Sequence, residues 1–127
     1  MADVMVDSSA WIDYFRHAEG AVGDRVSDLL DEDRIVLCGM VELELLQGVR
    51  PRERRALRDL LKALSYVETE RRDFVAAGER LAKLRRQGVT IPASDGVIAE
   101  LCIRHHLRLL AIDRHFDHLA EIERLTV

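Results

Sequence analysis

The sequence predicts an α/β fold in which a parallel sheet is flanked by helices on both faces. Short apolar runs alternate along the chain with segments of helical periodicity, and this alternation is typical of parallel sheets. The chain has 127 residues, of which 48% are hydrophobic. That length and composition suit one core, so residues 1–127 are expected to form a single domain.

The strands are predicted from short apolar runs that end at polar or turn-forming residues. Runs such as Ile35–Cys38 have the length and the continuous hydrophobicity of strands buried on both faces of a sheet. Ser65–Val67 has a weaker pattern, and the last three residues form a candidate edge strand. The predicted strands are Val4–Val6, Ile35–Cys38, Ser65–Val67, Leu109–Ile112 and Leu125–Val127.

The helices are predicted from apolar residues three and four positions apart and from the residues at the helix ends. Ser8 or Ser9 is suited to cap the first helix, and Ser94 or Asp95 the sixth. Pro51 favours the first turn of the fourth helix. The predicted helices are Ala10–Arg16, Val22–Leu30, Gly39 to about Gly48, one that begins at Pro51, Asp73–Gln87, Gly96–His106 and His115–Ala120.

Four acidic residues, Asp7, Glu42, Asp95 and Asp113, stand where a strand ends or a helix begins. The carboxyl ends of parallel strands meet at one crevice, so these side chains are expected to converge. Converging carboxylates repel one another unless a cation lies between them, and Mg²⁺ prefers oxygen ligands. This pattern is typical of a metal-dependent site that cleaves phosphodiester bonds.

Each acid also has a structural interpretation. Asp7, Asp95 and Asp113 are good helix-capping or turn residues, and Glu42 suits the edge of a core. Glu44 and Asp117 are interpreted as solvated helix charges. The pairs His105-His106 and His115-x-x-His118 are interpreted as surface histidines near a helix end. A zinc site is disfavoured, because no cysteine or third histidine completes a tetrahedral set with either pair at the usual spacing.

The net charge of −4 is unevenly distributed. Acids crowd Glu19–Asp33, whereas bases crowd Arg50–Lys62 and Arg80–Arg86. A mildly acidic nuclease is compatible with this pattern, although non-specific DNA binding is disfavoured. No run approaches the ~20 apolar residues of a membrane span. The acidic N-terminus is not a signal peptide, and Cys38 and Cys102 suit core thiols in a reducing cytoplasm.

Four motifs, in order, resemble those of VapC-type PIN-domain ribonucleases, the toxins of type II toxin–antitoxin pairs. Val6–Asp13 resembles the opening of that family. Val41–Gly48 is similar to its second-acid helix, and Ile91–Ala99 and Leu109–Phe116 resemble its third and fourth motifs. One departure is Ala111, because the family often has Thr or Ser two residues before the fourth acid.

The resemblance implies a PIN-like fold with about five parallel strands, a homodimer, a VapB-type antitoxin as partner and dependence on Mg²⁺ or Mn²⁺. It further implies hydrolysis of RNA to arrest translation and growth, with Asp7, Glu42, Asp95 and Asp113 as the catalytic and metal-binding residues. Two alternatives stay open. A phosphatase of the haloacid-dehalogenase kind requires Asp-x-Asp after the first strand, whereas Ser9 stands two residues after Asp7. In a non-catalytic interaction module the acids are only caps and surface charges.

Overall fold

The computed structural model describes residues 2–125 as six helices and four strands, with a turn of 3₁₀-helix at Pro51–Glu53 and another at Arg114–His118. The strands are β1 Val4–Val6, β2 Ile35–Cys38, β3 Ser65–Val67 and β4 Arg108–Leu110. The helices are α1 Ser8–Arg16, α2 Ala21–Asp31, α3 Gly39–Gly48, α4 Arg54–Lys62, α5 Arg71–Arg86 and α6 Ala93–His105.

The four strands form one parallel sheet in the order β3-β2-β1-β4. The central strand β1 is completely buried, in agreement with its continuous apolar sequence. The chain leaves β1 toward β2 on one side and later returns to add β4 on the other side. The order of the strands therefore reverses at β1, and in open α/β sheets a ligand crevice forms at such a point, beyond the carboxyl ends of the strands.

The predicted fifth strand, Leu125–Val127, lies mostly outside the described residues. Within them, the chain adds an isolated parallel bridge between Leu109 and Arg124 beside β4. The predicted strand Leu109–Ile112 began one residue too late and ended two residues too late. The strand ends at Leu110, and residues 111–113 form the loop that leads to the second 3₁₀ turn.

Helix α6 is held in place by α5, and its first turn carries one of the predicted site residues. A Cβ atom at Gly96 would lie 2.8 Å from Cδ1 of Leu81, so any larger residue there would require the Leu81 side chain to shift. At the other end of the pair, Arg104 donates two hydrogen bonds of 2.7 Å to the buried carboxylate of Asp73. These contacts fix the position of Asp95 relative to the sheet.

No helix among residues 2–125 combines the length and hydrophobicity that crossing a membrane requires.

Candidate metal-binding active site

Asp7 lies at the carboxyl end of β1 and is 3% exposed. Its Oδ2 atom accepts hydrogen bonds from the backbone N–H of Ser9 (3.2 Å) and from the Ser9 hydroxyl (2.7 Å). Asp7 is therefore the N-cap of α1, and the prediction that Ser8 or Ser9 has this role was wrong. Its Oδ1 atom is buried and has no hydrogen-bond partner among the described residues. A buried carboxylate oxygen without a partner is costly, so capping does not account for the whole side chain.

Ser9 ties Asp7 to the loop that carries Asp113. Its Oγ atom donates to Asp7 and accepts from the backbone N–H groups of Ile112 (3.1 Å) and Asp113 (3.4 Å). A hydroxyl group offers one donor and two acceptor positions, so every hydrogen-bonding position of the Ser9 hydroxyl is occupied. Ala111 has no hydroxyl group. The hydroxyl of Ser9, on α1, instead hydrogen-bonds the loop next to Asp113.

Asp95 lies in the first turn of α6 and is 6% exposed. The helix begins two residues earlier, after Pro92, so the prediction that Ser94 or Asp95 caps it was wrong. Burial raises the pKa of Asp95 to about 6, and repulsion from Asp7 and Asp113 adds to the increase. The hydrogen bond with His115 acts in the opposite direction. A carboxyl group with this pKa lies in a crowded, poorly solvated acidic cluster.

Asp113 and His115 complete this side of the site. Asp113 caps the second 3₁₀ turn, where its Oδ1 atom accepts from the backbone N–H of His115 (3.1 Å). The His115 Nδ1 atom lies 2.7 Å from Oδ2 of Asp95 and 2.8 Å from Oδ1 of Asp113. His115 thus lies between two carboxylates, and one ligand atom from each of the three residues falls within a 4.8 Å group that suits a metal ion. The sequence interpretation had left His115 at the surface.

The structure places Glu44, and not the predicted Glu42, beside Asp7. The Glu44 Oε1 atom accepts a hydrogen bond of 3.2 Å from the Ser8 hydroxyl, directly beside Asp7. Burial raises the pKa of Glu44, and repulsion from Asp7 and Asp113 raises it further. The interpretation of Glu44 as a solvated charge was therefore wrong. Glu42 is half-buried on another side of α3, where its charge contributes to raising the pKa of Tyr66.

The helix pattern did not favour Glu44 over Glu42, because both residues lie at the edge of the buried face of α3. Asp117, by contrast, is the solvated charge that the sequence predicted: it is exposed and forms a 3.1 Å ion pair with Arg124.

The donor set suits a hard divalent cation. Asp7, Glu44, Asp95 and Asp113 supply carboxylate oxygens, the ligands that Mg²⁺ and Mn²⁺ prefer. The unpartnered Oδ1 of Asp7 and the raised pKa values of Glu44 and Asp95 indicate that this site favours a positive charge. A bound cation would satisfy both, because it pairs the orphaned oxygen and offsets the repulsion.

The family model described as PIN domain matches residues 4–122. The chain belongs to the PIN-domain family. Two curated relatives of this PIN domain are Ribonuclease VapC11 of Mycobacterium tuberculosis (strain H37Rv) and VapC ribonuclease Mb1587 of Mycobacterium bovis. Each is 33% identical to it over 127 residues, which cover 96% of this chain and 95% of the relative.

Solved structures share the fold of this PIN domain over nearly its full length. VapBC of Salmonella typhimurium, solved bound to DNA, superimposes with a TM-score of 0.82 at 19% identity and covers 98% of both chains. VapBC-1 of nontypeable Haemophilus influenzae gives a TM-score of 0.79 at 22% identity and covers 96% of both chains. The PIN-like α/β fold predicted from the sequence is confirmed, with four strands in place of five among the described residues.

The raised pKa of Asp95 predicts how the metal-free PIN domain responds to pH. The neutral carboxyl of Asp95 is favoured in the folded state. Its contribution to the stability of the folded state is therefore fully present below the ordinary pKa of 3.8 and is lost as pH rises through about 6. Asp3 and Asp73 have lowered pKa values and act in the opposite direction. We therefore expect the wild type to lose roughly 2 kcal/mol relative to Asp95→Asn between pH 4 and 6.

Urea unfolding of the wild type and of Asp95→Asn, each with EDTA across that pH range, measures this difference. At neutral pH, added Mg²⁺ should raise the melting temperature of the wild type by binding only to the folded state. A pH-independent difference, together with identical wild-type melting with and without Mg²⁺, contradicts the assignment of this cluster as a metal site.

Proposed function

We propose that this PIN domain is a metal-dependent endoribonuclease that acts as the toxin of a toxin–antitoxin pair and is neutralised by a cognate VapB-type antitoxin. The observation that carries the proposal is the convergence of four carboxylates at the reversal point of the sheet, with a buried, unpartnered oxygen on Asp7. Relatives at 33% identity are named ribonucleases, and this supports RNA as the substrate.

In this proposal Asp7, Glu44, Asp95 and Asp113 hold Mg²⁺ or Mn²⁺. A metal ion held there would activate water for attack at neutral pH and would offset the charge that develops on the phosphate. Ser9 orients Asp7 and fixes the position of the Asp113 loop through its three hydrogen bonds. Exposed Arg114, between Asp113 and His115, is placed to bind a phosphate with its guanidinium fork.

Two other functions are less well supported. In a haloacid-dehalogenase-like phosphatase the residue two positions after the nucleophile is a second aspartate that handles protons, whereas here Ser9 has all three hydrogen-bonding positions occupied. A non-catalytic interaction module does not explain why Asp95 and Glu44 are buried with raised pKa values beside two further acids. Calorimetric titration with Mg²⁺ separates this module from the enzyme, because only the enzyme requires binding at a defined site.

The direct test is cleavage of RNA by the purified protein with Mg²⁺ or Mn²⁺. We expect endonucleolytic products whose formation stops with EDTA and resumes when the metal is restored in excess. A mixture of transfer, ribosomal and messenger RNA from a bacterial extract covers the substrate classes that the site admits. Intact RNA of all three classes after incubation with a folded, metal-bound protein contradicts the proposal.

We propose that the antitoxin binds an apolar groove between α1, α3 and α4. Ile12 and Phe15 are 38% and 48% exposed on α1. Phe15 faces a concave surface with Val49, Leu57 and Leu60. Trp11, Val41 and Leu45 lie on the same helices but are buried in the core and are not available to a partner.

The groove leads toward the acidic cluster. A cleft of about 440 Å³ is lined by Ile12, Phe15 and Val49 at one side and by Glu44 at the other. An antitoxin segment that lies along it could therefore place a basic side chain against the carboxylates. Arginine suits this role, because its planar fork can meet a carboxylate with two hydrogen bonds.

Hydrogen exchange of the protein alone and with its cognate antitoxin tests this surface. We expect residues 12–15 and 46–60 to gain protection only when the antitoxin is added, and Phe15→Ser to weaken the complex at least tenfold, because aromatic anchors dominate such interfaces. Exposed Phe74→Ser on α5 is the matched control. Full protection of the groove in a homodimer without antitoxin would assign this surface to self-association.

A further inference from the structure

Positive charge is concentrated in one segment that the proposed function has not used. Residues 50–62 contain six cations and two acids, so this segment carries +4 while the rest of the chain carries −8. All six cations are exposed. A separation of this size in a chain of 127 residues creates a local positive field in a protein that is acidic as a whole.

The cations of α4 form a continuous face. Leu57 and Leu61 are buried against the core, while Arg54, Arg58 and Lys62 follow one another at four-residue spacing on the outer surface. Three such positions span about 12 Å along the helix axis. With Arg55 they line a shallow, open groove of about 480 Å³.

Folding does not explain this basic face. Like charges four residues apart destabilise a helix by a few tenths of a kcal/mol per pair. Among residues 2–125, none of the four side chains at positions 54, 55, 58 and 62 forms an ion pair, whereas Arg34, Arg80 and Arg104 do. The groove is lined by these four cations and one acid, Asp59, so the face keeps a net positive charge, and an anionic partner would relieve its repulsion.

The basic face is continuous with the candidate active site. The cleft that begins at Glu44 is also lined by Arg50, Glu53 and Leu57, and α4 starts at the residue after Glu53. A strand lying in this cleft would pass from Glu44 to Arg50 and Glu53, and Glu53 directly precedes Arg54, the first cation of α4. The acidic cluster itself repels a polyanion, so attraction for a nucleic acid must come from another surface.

We propose that the outer face of α4 binds the sugar–phosphate backbone of the RNA substrate, with Arg54, Arg58 and Lys62 each contacting a phosphate. This inference rests on the proposed ribonuclease function and names the surface that holds the RNA beyond the cleavage site. Such contacts position the strand and carry no sequence information. The effect is thus expected to be similar for RNAs of different sequence and to weaken with salt.

The test is RNA binding measured without cleavage. Fluorescence anisotropy with a labelled 20-nucleotide single-stranded RNA, in EDTA and from 50 to 200 mM KCl, compares the wild type with the triple variant Arg54→Gln/Arg58→Gln/Lys62→Gln. Loss of three phosphate contacts should lower the slope of log K against log salt by about 2 and weaken binding at 50 mM KCl at least tenfold. The matched control is Lys83→Gln/Arg85→Gln/Arg86→Gln, which removes three exposed cations from α5.

The possible outcomes are distinct. A smaller slope in the α4 variant but not in the α5 variant supports the proposal. Equal losses in both variants indicate general attraction and overturn it, as does unchanged binding by the α4 variant. If RNA binding is unchanged and light scattering shows a changed oligomeric state, the face instead meets the acidic Glu19–Asp33 segment of a second copy. A wild type that binds RNA but cleaves none refutes the proposed function and leaves the α4 surface standing.

Discussion

Replacing Asp7 with asparagine is expected to lower RNA cleavage by about 10³-fold, or about 4 kcal/mol of activation free energy, while the fold stays intact. The asparagine oxygen can still accept both hydrogen bonds from Ser9, and asparagine is as good an N-cap as aspartate. The side-chain nitrogen would then occupy the position of Oδ1, the buried oxygen without a partner. It cannot bind a cation, so the site loses a central ligand.

The same substitution should preserve or raise the stability of the metal-free protein. It removes one of the charges that raise the pKa of Asp95 and Glu44, and thereby relieves repulsion in the cluster. Initial cleavage rates at saturating Mg²⁺ and melting curves in EDTA measure the two effects. Asp117→Asn is the control, since Asp117 is exposed and paired with Arg124. Wild-type turnover by a folded Asp7→Asn protein contradicts the role assigned to Asp7.

Glu44→Gln is expected to reduce cleavage about 10²-fold, or about 2.7 kcal/mol of activation free energy, whereas Glu42→Gln should stay within about twofold of the wild type. The two residues lie on the same helix, two positions apart, and both changes remove one charge. Only Glu44 hydrogen-bonds Ser8 and interacts with Asp7 and Asp113. A difference in cleavage rate between the two variants therefore reflects the location of the glutamate and not the change in net charge.

The same pair of variants has a second readout. Calorimetric titration with Mn²⁺ should show weaker binding by Glu44→Gln and unchanged binding by Glu42→Gln. Melting curves in EDTA establish that both variants are folded. If Glu42→Gln loses activity and Glu44→Gln does not, the second-acid assignment made from the sequence is right and the one made from the structure is wrong.

Periodicity alone could not separate these two glutamates. The buried side of α3 is defined by Val41 and Leu45. At 100° per residue, Glu42 and Glu44 each lie about 80° from the middle of that side, in opposite directions. The helical pattern places both glutamates at the edge of the core. It does not predict which other helix packs against each edge. The packing of α3 against α1, marked by the Ser8–Glu44 hydrogen bond, decides it.

His115 illustrates a different kind of omission. The sequence presents it as one of several histidines near a short helix, and no spacing rule connects it with Asp95, twenty residues earlier. The contact arises because β4 ends at Leu110, which lets the following loop bring Asp113 and the 3₁₀ turn over the start of α6. A strand continuing to Ile112, as predicted, would not produce that loop.

The sequence by itself determined the α/β class, the four strands in outline, and the placement of Asp7 and Asp113 beyond the carboxyl ends of β1 and β4. These are local properties: a short apolar run predicts a buried strand, and an acid that soon follows it lies near the carboxyl edge of a parallel sheet. The tertiary structure decided which oxygens of the cluster are satisfied, that Glu44 belongs to it, and which apolar residues of α1 remain exposed. Those properties depend on how separate elements pack, and packing is set by contacts between residues far apart in the chain.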